Sequence, residues 1–65
     1  MRRSHVNIYT LYIDDDRYRV PTLLSAEFGD DAGVIAHLAD ILAQSTHYQA
    51  VEAWDGDRLV ARRQR

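Results

Sequence analysis

The sequence predicts an α+β domain of two layers. One helix packs on a four-stranded antiparallel sheet of order 2-1-3-4, and the elements run β-β-α-β-β. Three observations predict this. Two runs dense in β-branched and aromatic residues, "VNIYTLYI" and "RYRVPTLL", flank three consecutive aspartates, as hairpin strands flank a turn. A stretch with helical apolar spacing follows, "GVIAHLADILA". A second pair of strand-like runs, "YQAVEAW" and "DRLVARR", then meets around Asp55-Gly56.

In the first hairpin, a loop made of Asp14, Asp15 and Asp16 sets Ile13 opposite Arg17 and even residues opposite even ones. That register gathers Val6, Ile8, Thr10, Tyr12, Tyr18, Val20, Thr22 and Leu24 on one face, whereas a one-residue slip would scatter them. Pro21 has no N–H to give a ladder, which assigns the second strand to a sheet edge or a bulge. In the helix, Val34, Ile35, Leu38, Ala39, Ile41 and Leu42 fill an apolar arc of roughly 160°, with Ala36, His37, Asp40 and Gln44 opposite. Asp30 suits the N-cap and Asp31 the positive end of the helix dipole.

Two turns compete in the second hairpin. A two-residue Asp55-Gly56 loop is the usual reading of that dipeptide. A three-residue loop, Trp54-Asp55-Gly56 with Gly56 left-handed, is favoured. It collects Val51, Ala53, Leu59 and Ala61 on one face and sets Glu52 opposite Arg58. A right-handed crossover from strand two to strand three leaves strand one between them, which yields the 2-1-3-4 order.

The stretches "YTLYIDDDRYRV", "FGDDAGVIAHLADILA" and "AVEAWDGDRLVAR" resemble short bacterial proteins usually left uncharacterised. Their pattern is an aromatic opening strand, an acidic helix start and a closing V-E-x-W-x-G-x-R-L-V hairpin. The resemblance spans nearly the whole chain. It implies a compact α+β fold and brings no activity with it.

Sixty-five residues form one small domain, with residues 1–4 and 63–65 expected to be flexible ends. A chain of this size buries only about 60% of the surface its unfolded form exposes. Small domains often lean on disulfides, metals or oligomerisation; with no cysteine, disulfides and thiolate metal sites are excluded. Net charge is −2; there is no lysine, and Arg2 and Arg3 open the chain while Arg62, Arg63 and Arg65 close it around an acidic middle. Alternating strands with no apolar leader or membrane-length run point to a cytoplasmic protein.

No residue pattern in the chain carries a strong signature of catalysis or metal binding. The aspartate run lacks the later ligands of a calcium loop, because Tyr18 and Arg19 occupy those positions. His5, His37 and His47 have no metal-ligand spacing, and His37 with Asp40 offers two ligands at most. Ser4, Ser25 and Ser45 sit in no nucleophile context. Gly29 and Gly33 are too sparse for a phosphate loop, and Asp30 and Asp31 would repel phosphate. The expectation is no enzyme, no metal and no cofactor.

The surplus is geometrical. One helix covers one face of a four-stranded sheet. If it covers the even face of the first hairpin, Tyr9, Leu11, Ile13, Pro21 and Leu23 are left outside; if the odd face, Ile8, Tyr12, Tyr18 and Val20 are. The expected interaction surface is Tyr9, Leu11, Ile13, Arg17, Arg19, Trp54, Arg58, Val60 and Arg62, residue types enriched at binding hot spots. The leading expectation is a non-enzymatic interaction module that homodimerises through the open sheet face. The alternative is an accessory protein for single-stranded nucleic acid, using Trp54 and the C-terminal arginines.

Overall fold

The computed structural model describes residues 6–65. The elements are β1 (Asn7–Asp15), β2 (Thr22–Phe28), α1 (Asp31–Ala43), β3 (Tyr48–Asp55) and β4 (Arg58–Gln64). The four strands form one antiparallel sheet of order β2-β1-β3-β4, as the sequence predicts. Residues 1–4, expected to be a flexible end, lie outside the described residues.

The first hairpin departs from the expected loop. Asp14 and Asp15 continue β1, and the connection is residues 16–21. Ile13 therefore pairs with Thr22, Leu11 with Leu24 and Tyr9 with Ala26, so odd residues of β1 oppose even residues of β2. The reason lies in Asp15, whose side chain is only 2% exposed. Its carboxylate accepts from the Arg17 backbone N–H at 2.9 Å and from Arg17 Nε and Nη2 at 3.0 and 2.7 Å. An aspartate so clamped behaves as a strand end and turn initiator rather than as a solvated loop residue. Pro21 stands just before β2, which is an edge strand.

The second hairpin takes neither expected loop. Asp55 pairs with Arg58 across a two-residue connection, Gly56-Asp57. Gly56 has φ +62°, and no other described residue has positive φ; a left-handed Gly in the first loop position is the type II′ pattern. The register then shifts at Val60: Trp54 pairs with Leu59, but Ala53 pairs with Ala61 and Glu52 with Arg62. This β-bulge in β4 turns both Val60 and Ala61 toward the core. Leu59 accordingly shares a face with Trp54 rather than with Val51 and Ala53, and Glu52 meets Arg62 rather than Arg58.

The helix starts as its sequence demands, with the Asp30 carboxylate accepting from the Gly33 N–H at 3.0 Å. It buries Val34, Leu38, Ile41 and Leu42 against Tyr9, Leu11, Ile13, Val51 and Ala53. Ile35 and Ala39, at the margin of the predicted arc, stay exposed. Its last turn holds no basic residue. Arg65 serves instead, donating to the Leu42, Ser45 and Tyr48 carbonyls while its own N–H bonds the Gln49 carbonyl. Residues 63–65, expected to be loose, are thus strand and helix cap, because the orphan carbonyls at a helix end take the nearest cation. No helix among the described residues is long and apolar enough to cross a membrane.

Two substitutions test this architecture by urea denaturation. Leu38→Ala, at a fully buried position, is expected to cost about 2–5 kcal/mol. Gly56→Ala meets no neighbouring atom but keeps the positive φ, so it should cost about 1–2 kcal/mol. Gly29→Ala, equally free of neighbours, should cost less.

Candidate interaction surface

The helix covers the odd face of β1. Tyr9, Leu11 and Ile13, expected in the interaction surface, are at most 1% exposed and form the middle of the core. Their face holds three large apolar side chains in succession, whereas the even face interrupts its series with Thr10. A polar tether reinforces the choice. The Tyr9 hydroxyl donates to Asp31 Oδ1 at 2.8 Å, and the same carboxylate accepts from Arg58 Nη1 and Nη2 at 3.1 and 3.2 Å. Arg58 also reaches Asp55 at 3.0 Å. The first turn of the helix, β1 and the β3–β4 turn are thereby joined at one carboxylate. Arg58, and to a lesser degree Tyr9, hold Asp31 below the usual carboxylate range. The Asn7 amide lowers the Tyr9 phenol, but burial and the Asp31 carboxylate outweigh it and the phenol titrates above its ordinary value.

The open face is built from the even residues of β1 and their partners. Across the sheet, Leu23, Tyr12, Glu52 and Arg62 form one row, and Ser25, Thr10, Trp54 and Leu59 the next. Ile8, opposite Glu27, extends it. Ile8 is 62% exposed, Leu23 58% and Leu59 47%. At the centre, Tyr12 and Trp54 pack edge to face with ring centroids 6.3 Å apart. The Trp54 indole donates to Glu52 Oε1 at 2.9 Å, and Arg62 Nε lies 3.3 Å from Glu52 Oε2. The central carboxylate is thus neutralised and the indole N–H satisfied within the chain. Beside them is a shallow hollow of about 210 Å³, lined by Tyr12, Asp14, Pro21, Ala50, Glu52 and Arg62.

The other expected surface residues separate. Trp54 and Arg62 belong to the open face. Val60 is drawn toward the core by the bulge, and Arg58 pairs on the helix side. Arg17 is bound to Asp15 at 2.7 Å, with its guanidinium 5.5 Å from the Tyr18 ring centroid. Arg19 is exposed in the 16–21 loop with no ion pair among the described residues. Missing from the expected set are Ile8, Leu23 and Leu59 together with Tyr12. The alternation of β1 pairs Ile8 with Tyr12 in the sequence, but Leu23 and Leu59 depend on the loop lengths.

His37 Nδ1 lies 3.9 Å from Asp40 Oδ2, and its ring packs 5.2 Å from Phe28. His47 Nδ1 is 2.9 Å from Asp16 Oδ1, and Gln49 donates to the other oxygen of that carboxylate. Among the described residues no three His, Cys, Asp or Glu side chains gather as metal ligands. Comparison with protein-family models, curated proteins and solved structures found no match to this chain.

The Asp15 clamp yields a pH prediction. Arg17, mainly through its side-chain hydrogen bonds, lowers the Asp15 carboxyl from 3.8 to about 2. A depressed folded-state value stabilises the fold fully above the ordinary value and loses that contribution as pH falls toward the folded one. The urea midpoint should therefore decline between about pH 4 and pH 2. In Asp15→Asn the midpoint should be lower near neutrality and the decline shallower.

Proposed function

We propose that this protein is a small non-enzymatic association module that pairs its open sheet face with the same face of a second copy. The observation that carries the reading is the state of the face's centre. Trp54, Glu52 and Arg62 satisfy one another inside the chain, so covering them orphans neither a charge nor an indole N–H. Around them Ile8, Tyr12, Leu23 and Leu59 contribute apolar surface from β1, β2 and β4. A two-fold axis through the middle of such a face lays apolar side chains on apolar side chains. A domain of 65 residues also gains disproportionately from the added burial.

The same contacts weigh against phosphate binding by the arginines near Trp54. Arg58 is engaged by Asp31 and Asp55, Arg62 by Glu52, and Arg65 by the Leu42, Ser45 and Tyr48 carbonyls. A nucleic-acid strand would have to displace carboxylates already in place at Arg58 and Arg62, and the net charge of −2 opposes its approach.

Light scattering after size exclusion, at high micromolar concentration, tests the pairing. The mass should be a multiple of the 7.5 kDa of one chain. Leu59→Arg should halve it with the helical circular dichroism signal unchanged, because an exposed apolar contact of the open face becomes an unpaired charge. A wild-type mass of one chain, or a mass indifferent to Leu59→Arg, would overturn the proposal.

A further inference from the structure

The two edge strands differ in how they meet solvent. β4 carries Arg58, Arg62 and Arg63 and is broken by the bulge at Val60; charge and irregularity are the usual ways a sheet edge is closed to further pairing. β2, with the sequence TLLSAEF, has no bulge and a single charge. Its register with β1 runs without a shift from Thr22 to Phe28. It contains no proline, and Glu27 is its one charge. Every second residue of such an edge turns its N–H and C=O outward.

The side chains of β2 are also unfinished on both faces. The helix packs mainly over β3 and β4 rather than β2. Leu24, on the helix side opposite Leu11, is consequently 46% exposed, a large apolar residue left uncovered on the side that forms the core. Leu23 is bare on the other face. Whatever completes this edge gains most by bringing an apolar group to Leu24 on the helix side.

From this geometry we infer that β2 pairs antiparallel with the β2 strand of a second copy, joining two sheets into one of eight strands. Centring the two-fold axis on Leu24 sets Leu24 against Leu24, Leu23 against Ser25 and Thr22 against Ala26. The exposed Leu24 side chains then cover each other on the helix side. The charges select the same occupant. Antiparallel pairing brings Glu27 of one copy opposite Pro21 of the other, two residues from Arg19. Glu27 and Arg19 are both exposed and have no ion pair among the described residues. The symmetry therefore forms two Arg19–Glu27 pairs and opposes no like charges. This contact does not depend on pairing of the open faces. Its two-fold axis is perpendicular to the sheet, whereas that of face pairing lies parallel to the sheet. The two contacts use different surfaces, and they close at four chains when the two axes intersect.

The test uses the full chain and separates the two contacts. In the Leu59→Arg background, light scattering should still report two chains, and adding Leu24→Lys should reduce this to one. Arg19→Glu alone should weaken the association about tenfold, since two attractive surface pairs become repulsive. Arg19→Glu with Glu27→Arg should restore it. Hydrogen exchange by mass spectrometry reads the strand itself: β2 amides should gain protection as concentration rises, in Leu59→Arg as in wild type. A single-chain mass for Leu59→Arg, no rescue by the charge swap, or β2 exchange independent of concentration would each overturn edge pairing. Loss of face pairing alone would leave all three results standing.

Discussion

The carboxylate of Asp31 is the joint on which this structure turns. It sits in the first turn of the helix and takes the Tyr9 hydroxyl from the central strand and the Arg58 guanidinium from the start of β4. A buried tyrosine needs a partner for its hydroxyl, and here that partner lies on the element covering its ring. The contact selects which face of β1 goes inward. Once Tyr9 is under the helix, the pleat takes Leu11 and Ile13 with it, and Ile8, Thr10 and Tyr12 must face away. The identity of the free surface is therefore a consequence of how the core is closed.

Two further devices adjust that surface. The Asp15–Arg17 clamp lengthens β1 and makes the loop even in length, which moves Leu24 to the helix side and Leu23 to the open side. The bulge at Val60 lets β4 change phase, so that Leu59 lies beside Trp54 while Val60 and Ala61 still fill the core. It also aligns Arg62 with Glu52, which neutralises the carboxylate at the centre of the open face. Without the shift, Ala61 would stand opposite Glu52, and that charge would face the apolar centre alone.

The helix lies off the middle of the sheet, and this offset has a cost and a use. Over β3 and β4 it completes the core, with Arg65 returning from the end of β4 to the Leu42 carbonyl of its last turn and the Ser45 carbonyl just beyond. Over β2 it leaves Leu24 bare beside an unblunted edge. The protein thus carries two unfinished surfaces of different kinds, an aromatic face and an open strand edge.

Element types and order were legible in the sequence because they depend on local periodicity: alternation in the strands, helical spacing from Val34 to Leu42, and Asp30 as N-cap. The 2-1-3-4 order followed from chirality and from Pro21 needing an edge. What the sequence left undecided was parity. Strand register changes face with every residue of loop length, and neither loop declared its length. In the first, Asp15 resembled a turn residue and proved a buried strand end, because Arg17 folds back on it. In the second, Asp55-Gly56 resembled the turn, but the strand runs through Asp55 and the turn is Gly56-Asp57. The choice of Tyr9 over Tyr12 as the core tyrosine had one local sign, Thr10 breaking the even face, but that sign alone did not settle it, since both are Tyr on opposite faces of one strand. That choice needed Asp31, twenty-two residues along the chain from Tyr9, brought beside it by the fold. Composition and spacing thus determined by themselves which elements form. Only the tertiary structure, through contacts between residues distant in the chain, decided which side of the sheet remains open.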